Sequence, residues 1–251
     1  MRTTGLLAAA QFLTRLPIRL RSAPDLAISV PWFPVVGAAI GVVTGASAAG
    51  LGHLVPMPVA ASVAVMLGVL MTGAFHEDGL ADTADAMGGG TPERRREILK
   101  DSRHGSYGVA ALTGSILVRV VCVAALGPAA AFGGLVAAHT LGRGAAVAVM
   151  GAADPVPTEG LGADYTRTLS GRRAIIGVVG AAVFATIATG WWAAPSIVAA
   201  GLGAWAVAAV AHRAFGGVSG DILGAVEQVS ECAVLIVVSG LALRHSIWWA
   251  R

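Results

Sequence analysis

Long apolar segments separated by short polar connections dominate the chain. Seven of these segments are close to the roughly 20 residues that a helix needs to cross about 30 Å of hydrocarbon. They cover residues 30–54, 56–75, 105–126, 129–151, 174–191, 195–211 and 222–243. The pattern therefore predicts an all-α, polytopic integral membrane bundle with about seven transmembrane helices. We expect it to form one domain over residues 1–251.

The first 20 residues combine leucines with arginines and predict an amphipathic interfacial helix that is interrupted near Pro17. Its apolar face would carry Leu6, Leu13, Leu16 and Leu20, and its polar face Gln11, Arg15 and Arg19. An arginine followed by an apolar run is also typical of a signal peptide. A small-x-small cleavage site is missing before Arg15, so we expect the segment to be retained.

Composition agrees with a membrane bundle. Hydrophobic residues make up 56% of the chain, charged residues 12%, and the mean hydropathy is +0.76. The 34 glycines suit membrane helices that pack through small residues. A formal net charge of +3 without a basic, solvated face argues against nucleic-acid binding. Cys122 and Cys232 lie in apolar segments, which favours buried thiols over a disulfide or a metal site.

The basic residues alternate between connections, and this alternation predicts the orientation. Of the 17 Lys and Arg residues, 13 lie in the N-terminal segment or in every second connection. They are Arg2, Arg15, Arg19, Arg21, Arg94, Arg95, Arg96, Lys100, Arg103, Arg167, Arg172, Arg173 and Arg213. The other connections are short and uncharged, although Arg244 and Arg251 fall on their side. The positive-inside rule predicts that the basic face, which also carries most of the acids, is cytoplasmic.

The stretch "AFHEDGLADTADAMGGG" concentrates acidic residues in a chain that has few charges. Asp78, Asp82 and Asp85 are spaced i, i+4, i+7 and would share one stripe of a helix. Such a stripe could hold Mg²⁺, which binds a few carboxylates and keeps waters and substrate phosphates as its other ligands. The alternative is a solvated acidic helix start that the helix dipole favours. We prefer the metal site, because ionisable residues at a membrane boundary are costly.

The next segment, "TPERRREILKDSRHGSYG", predicts a helix capped by Thr91 and then a turn with Asp101, Arg103 and His104. Guanidinium groups pair well with phosphate oxygens, so arginines here could bind an anion beside the metal. The arginines at 94–96 equally suit anionic lipid headgroups. Arg103, held in the turn beside Asp101, is therefore the better functional candidate.

Charged residues also occur inside the predicted spans. Arg119 and Arg143 are expected to face the bundle interior and to pair with an acid or a substrate. Arg143 lies nearer the cytoplasmic side and could reach the acidic motif. In "SGDILGAVEQVSE", Asp221 begins the last span at the level of that motif. Glu227 and Glu231 lie deeper and need one of the arginines. Two facing acidic helices would form a metal site suited to displacement at phosphorus.

Three motifs carry a resemblance to a known family. "FHEDGLADTADAMGG", "ILKDSRHGSYGVAAL" and "GDILGAVEQVSE", in this order and spacing, resemble the adenosylcobinamide-GDP ribazoletransferase, or cobalamin synthase, family. The resemblance spans most of the chain and includes "FLTRLPI" and the Gly142–Arg143 pair. Glu77 stands where family members carry an apolar or variable residue. The resemblance therefore points to the three aspartates rather than to Glu77.

The resemblance implies a Mg²⁺-dependent integral membrane protein with a transmembrane catalytic domain. Together with the charge pattern, it predicts a multi-pass protein of the bacterial cytoplasmic (inner) membrane whose active site faces the cytoplasm. The implied reaction transfers the cobinamide-phosphate moiety of adenosylcobinamide-GDP to α-ribazole, or to its 5′-phosphate, and releases GMP. The other product is adenosylcobalamin or its 5′-phosphate. Expected partners are these small molecules and membrane lipid, and a homo-oligomer is left open.

Site roles follow as hypotheses. Metal binding is assigned to Asp78, Asp82, Asp85 and Asp221, and catalytic roles to Asp82, Asp85 and Asp101. Asp85 or Asp101 would accept the hydroxyl proton. Substrate binding is assigned to Arg103, His104, Arg143 and Glu227. The alternative function is a secondary transporter or metal-ion permease with a cytoplasm-facing acidic site. Transport sites, however, are expected near the bilayer midplane.

Overall fold

The computed structural model describes residues 2–20, 26–101, 103–155 and 161–250, and these are helical with no β-strand. The helices are α1 (Arg2–Leu13), α2 (Leu26–Ser29), α3 (Phe33–Leu51), α4 (Met57–Thr72), α5 (Phe75–Ala86), α6 (Pro92–Ile98), α7 (Ser106–Ala124), α8 (Pro128–Ala152), α9 (Leu161–Thr168), α10 (Gly171–Thr189), α11 (Ala193–Phe215) and α12 (Gly220–Ala242). Short 3-10 turns precede α3 and α11. The predicted all-α class is confirmed.

Five helical segments in the described part of the chain are long and apolar enough to span a membrane, or six if the bent α4–α5 pair counts as one span. One of the five, Gly171–Phe215, contains both α10 and α11. The chain breaks at Gly190, where φ is 62°, and both helices line one apolar cavity with α8. They therefore fold back on each other. The seven predicted apolar segments correspond to α3, α4, α7, α8, α10, α11 and α12, and the polytopic membrane architecture is confirmed.

Helix α8 is the central helix of the bundle, and small residues let its neighbours approach it. A Cβ added at Gly41 of α3 would lie 2.5 Å from the Cα of Val136. A Cβ added at Gly144 would lie 2.5 Å from the Cβ of Ala181 on α10. Without a strong hydrophobic driving force between helices in lipid, close packing of this kind holds a membrane bundle together.

A sharp bend separates α4 from α5. Gly73 and Ala74 adopt left-handed φ values of 68° and 59°, and the two helix axes differ in direction by 88°. Helix α5 therefore crosses one end of the bundle, where it packs against α7 and α12. This end, at which α7 and α12 begin and α8 and α11 finish, is called the charged end below. The backbone N–H of Val218 donates to the carbonyl of Asp154 there, at 3.0 Å.

The N-terminal helix is shorter than the sequence predicts. α1 finishes at Leu13, so Leu16 and Leu20 lie beyond it and do not share its face. Phe12 stacks on Phe33 and contacts the rings of Phe75 and Tyr165, which seats α1 against the bundle. The prediction of one apolar face that runs from Leu6 to Leu20 is therefore wrong. Instead, α1 packs on the starts of α3 and α5 through the ring of Phe12. Arg21 and Arg251 of the predicted charge pattern lie outside the described residues.

Candidate active site

Asp78 and Asp82 meet His104 at the charged end. They lie one turn apart on α5, as their spacing predicts, and His104 approaches them from the turn before α7. Its Nε2 lies 3.5 Å from Asp78 Oδ1, and its Nδ1 lies 3.5 Å from Asp82 Oδ1. The Asp78 side chain is 61% exposed, whereas that of Asp82 is 15% exposed. The group therefore opens to the surface through Asp78.

These three side chains fit a cation site. Each can place one ligand atom within 4.8 Å of the others. Burial and the carboxylates of Asp78 and Asp221 raise the pKa of Asp82, on the crossing helix α5, to about 6. A cation would relieve that repulsion. Mg²⁺ prefers oxygen, so the two aspartates suit it as ligands, while His104 is the less typical donor. The exposed side leaves room for waters and a phosphate.

Asp85 continues the stripe, but both of its carboxylate oxygens are engaged. The backbone N–H of Gly105 donates to Oδ2 at 2.6 Å, and that of Gly108 donates to Oδ1 at 2.8 Å. Gly105 is the N-cap residue of α7 and Gly108 lies in its first turn, where backbone N–H groups have no partners within the helix. Asp85 thus joins α5 to the start of α7. Its metal and catalytic roles stay predictions.

Asp101 and Arg103 form a surface pair. The Arg103 guanidinium donates to both Asp101 oxygens, at 3.0 and 2.8 Å, and its backbone N–H donates to Oδ1 at 3.1 Å. These bonds lower the pKa of Asp101 to about 2. The Arg103 side chain is 87% exposed, so it is accessible to an anion. The roles assigned to both residues stay predictions.

Asp221 lies beside the acidic helix, as its place at the start of the last span predicts. Ser219 caps α12, and its hydroxyl accepts from the backbone N–H of Ile222. The backbone of Asp221 abuts Gly79, where an added Cβ would lie 2.7 Å from the Asp221 carbonyl oxygen. Asp221 belongs to neither of the two groups whose ligand atoms converge among the described residues, Asp78–Asp82–His104 and the buried His139–Glu227–Glu231. Its metal role therefore stays a prediction.

A second group of charged residues lies inside the bundle, beneath α5. The Arg119 guanidinium on α7 donates to Glu77 Oε1 at 2.9 Å and to Glu231 Oε2 at 3.4 Å. Gln228 Nε2 also donates to Glu77 Oε1, at 3.3 Å. The charged side chains in these contacts are at most 4% exposed. Arg119 therefore forms internal ion pairs, as expected for an arginine deep within a predicted span.

Arg143 completes this internal group. Its guanidinium pairs with Glu227 and with Glu231, the latter at 2.9 Å, and donates to the carbonyl of His139 at 3.0 Å. The sequence predicts that Glu227 and Glu231 need an arginine, and the structure supplies both arginines. Arg143 does not reach the Asp78 and Asp82 carboxylates. Because Arg143 and Glu227 are buried and already paired, their substrate roles stay predictions.

The sequence interpretation missed Glu77 and His139. The family resemblance points away from Glu77, at a position expected to be apolar or variable, yet its side chain is 3% exposed and points inward. The signal was available on a helical wheel, because Glu77 lies about 100° from Asp78 and so off the exposed stripe. His139 precedes Arg143 by four residues on α8, which places both side chains on one face. Its Nδ1 contacts Glu231 Oε1.

Comparison with known proteins identifies the family. The sequence matches the family described as Cobalamin-5-phosphate synthase over residues 5–239. The chain belongs to this family. It is 39% identical to the adenosylcobinamide-GDP ribazoletransferase of Azorhizobium caulinodans, over 95% of this chain and 96% of that protein. The proteins of the same name from Chlorobaculum tepidum and Bradyrhizobium diazoefficiens are 33% and 38% identical.

These matches cover nearly whole proteins, 98% of both chains for the Chlorobaculum relative and 94% and 93% for the Bradyrhizobium relative. The acidic helix α5, the turn before α7 and the start of α12 all lie within the matched family region. No solved structure matches this chain. The family membership expected from the three sequence motifs is confirmed.

Proposed function

We propose that this chain is a Mg²⁺-dependent phosphotransferase of cobalamin nucleotide-loop assembly. It transfers the cobinamide-phosphate moiety of adenosylcobinamide-GDP to α-ribazole, or to α-ribazole 5′-phosphate. The products are adenosylcobalamin, or its 5′-phosphate, and GMP. Membership of the Cobalamin-5-phosphate synthase family supports the reaction. The structural observation that carries the proposal is the Asp78–Asp82–His104 group at the charged end, whose side chains could hold a metal ion.

The reaction is a displacement at phosphorus. A ribose hydroxyl oxygen of α-ribazole forms a bond to the phosphorus that stays with cobinamide. The bond from that phosphorus to the bridging oxygen breaks, and GMP leaves with the bonding electrons. Catalysis of such a step consists mostly of positioning the reactants and stabilising the developing charge. The site must therefore hold the diphosphate, orient the hydroxyl and accept its proton.

Asp78 and Asp82 would hold Mg²⁺, with Asp221 and Asp85 close by on the same side of the bundle. When bound, Mg²⁺ supplies positive charge to the diphosphate oxygens. His104 lies between the two aspartates and is placed to contact a phosphate or a metal-bound water. The side chain of Arg103 is 87% exposed and, among the described residues, pairs with Asp101, so its guanidinium can turn from that carboxylate toward the GMP phosphate.

The hydroxyl proton is proposed to pass to Asp85 or Asp101, the two candidate carboxylates outside the Asp78–Asp82–His104 group. Asp85 is close to Asp82 on α5 but already accepts two backbone hydrogen bonds. The Asp101 side chain is 38% exposed but is paired with Arg103. Comparison of Asp85→Asn with Asp101→Asn in a turnover assay at saturating Mg²⁺ distinguishes them, because loss of the base should lower turnover by about 10²–10⁴-fold and loss of the other carboxylate should not.

We place the protein in the bacterial cytoplasmic membrane, with the charged end toward the cytoplasm. Support comes from the positive-inside pattern, since the basic residues of α6, α9 and the start of α10 gather near that end. A transporter or permease is not favoured. The acids nearest mid-span are paired with Arg119 and Arg143 rather than free to bind a transported ion.

The proposal is tested by measuring GMP release from protein purified in detergent. Adenosylcobinamide-GDP and α-ribazole are supplied with Mg²⁺, and a parallel reaction contains a chelator instead. We expect GMP only in the presence of Mg²⁺ and α-ribazole. GMP release that is equal with and without Mg²⁺ would contradict the metal assignment, and no release in either reaction would contradict the enzyme assignment.

A further inference from the structure

We infer that Glu77 is a positioning residue for the metal site. Its buried carboxylate fixes α5 against α7 and α12 and thereby places Asp78 and Asp82. The inference rests on the proposed function, because it concerns the Mg²⁺ site of that reaction. It concerns a residue to which the proposed displacement at phosphorus assigns no role.

A single oxygen of Glu77 joins three helices. Oε1, on α5, accepts from the Arg119 guanidinium of α7 at 2.9 Å and from Gln228 Nε2 of α12 at 3.3 Å. Arg119 also reaches Glu231 on α12. Because these groups are buried, their hydrogen bonds are not in competition with water and hold a defined geometry. Glu77 is thus the anchor of α5 in the bundle interior.

Glu77 immediately precedes Asp78, one of the two proposed metal ligands on α5. On a helix, successive side chains differ in direction by about 100°, so an inward Glu77 fixes the outward direction of Asp78. Helix α5 follows an 88° bend, so its position depends on contacts with α7 and α12 rather than on continuation of α4. If the Glu77 contacts are lost, α5 can shift, and the Asp78 and Asp82 carboxylates shift with it.

The reach of the Glu77 side chain matters more than its charge. Its second oxygen, Oε2, is buried and has no hydrogen-bond partner among the described residues. Three carboxylates of the internal group, Glu77, Glu227 and Glu231, contact two guanidiniums, those of Arg119 and Arg143, and Glu227 and Glu231 also contact the imidazoles of His76 and His139. One negative charge can therefore be removed without leaving a guanidinium unbalanced. A glutamine at this position keeps an acceptor at the same distance, whereas an aspartate, one methylene shorter, does not.

The test compares Glu77→Asp with Glu77→Gln. Two quantities are measured in detergent: the affinity for Mn²⁺, used as a spectroscopic substitute for Mg²⁺ in substrate-free protein, and the Mg²⁺ concentration that gives half-maximal GMP release. We expect Glu77→Asp to weaken Mn²⁺ binding and to raise the half-maximal Mg²⁺ concentration at least fivefold. At saturating Mg²⁺ its kcat should stay within twofold of wild type. Glu77→Gln should change both metal readouts less than twofold.

The matched control is Glu97→Asp, the same shortening at an exposed carboxylate that pairs with Arg94 on the surface of α6. It should leave both metal readouts unchanged. If Glu77→Asp does not yield folded protein, Arg119→Lys alters the same contact from α7 and should weaken metal binding at least threefold, because one ammonium cannot bridge two carboxylates as a guanidinium does.

Wild-type metal affinity in Glu77→Asp or in Arg119→Lys would overturn the inference, whether or not kcat falls. An equal loss of affinity in Glu77→Asp and Glu77→Gln would overturn it as well, because the reach of the side chain would then not matter. Absence of GMP release by the wild-type protein would contradict the proposed function instead, and the Mn²⁺ measurements would still decide the role of Glu77.

Discussion

Gly79 leaves no room for a side chain between α5 and α12. A Cβ at this position would lie 2.7 Å from the carbonyl oxygen of Asp221 and 3.0 Å from its Cα, whereas ordinary contacts begin at 3.4 Å. The obstructing atoms belong to the backbone of α12, so they cannot rotate away. Gly79→Ala must therefore separate the two helices by about 0.7 Å or more, the difference between the observed and the ordinary distance.

The cost of this substitution can be estimated. Overpacking of this kind typically costs about 1–3 kcal/mol. A Gly to Ala change within a helix also gains roughly 1 kcal/mol from helix propensity, which partly hides the clash. Gly180→Ala on α10 supplies the control, because no atom lies within 4 Å of its added Cβ. We expect Gly79→Ala to be less stable than Gly180→Ala by about 1–3 kcal/mol, a difference of roughly 2–12 °C in melting temperature.

Thermal unfolding of both variants in detergent measures this difference, and Mn²⁺ titration measures its effect on the site. Because Gly79 lies between Asp78 and Asp82 in the sequence, a shift of α5 should also weaken metal binding in Gly79→Ala alone. Equal melting temperatures and equal metal affinities in the two variants would refute the close packing of α5 on α12 and its link to the metal site.

Three further substitutions test other parts of the site. Asp82→Asn should abolish Mg²⁺-dependent GMP release in protein that inserts and extracts normally; wild-type turnover would remove Asp82 from the mechanism. Arg143→Ala breaks a buried ion pair and should cost about 3–5 kcal/mol of stability. Arg95→Ala loses hydrogen bonds to two backbone carbonyls and should cost much less, so equal melting temperatures of the two variants would contradict this. Asp85→Ala should cost about 1 kcal/mol and speed amide exchange at the start of α7, and unchanged exchange would argue against the Asp85 anchor.

The spans were predictable because the length of an apolar run relates directly to membrane thickness. Each of the seven predicted segments contains most of one long helix. The second predicted segment, residues 56–75, differs from the others, because α4 ends at Thr72 and the chain then turns sharply. Two left-handed residues, one of them Ala74, make this turn, and a left-handed alanine has no sequence signal.

The exposed site was predictable only where it depends on local periodicity. The i, i+4 spacing places Asp78 and Asp82 together, and the structure agrees. His104 joins them from the turn after α6, and that contact depends on how α7 packs on α5. The stripe also places Asp85 correctly on the helix, but the approach of Gly105 and Gly108 to its carboxylate is a tertiary contact that periodicity does not describe.

The internal group was predictable in part from the cost of charge in a membrane. That cost alone pairs Arg119 and Arg143 with Glu227 and Glu231, without any knowledge of the fold. It does not specify that both arginines meet Glu231, because helix α12 must first be placed between α7 and α8. The family resemblance favours the three aspartates over Glu77, although helical geometry places Glu77 on the inward side of α5.

The central claim is that this chain joins a cobinamide phosphate to α-ribazole. The most direct measurement supplies isotopically labelled α-ribazole with adenosylcobinamide-GDP and Mg²⁺ to the purified protein and follows the label and GMP together. We expect labelled adenosylcobalamin and GMP in equal amounts, and neither product with Asp82→Asn. GMP without a labelled corrinoid would indicate hydrolysis rather than transfer, and the absence of both products from the wild-type protein would contradict the proposed activity.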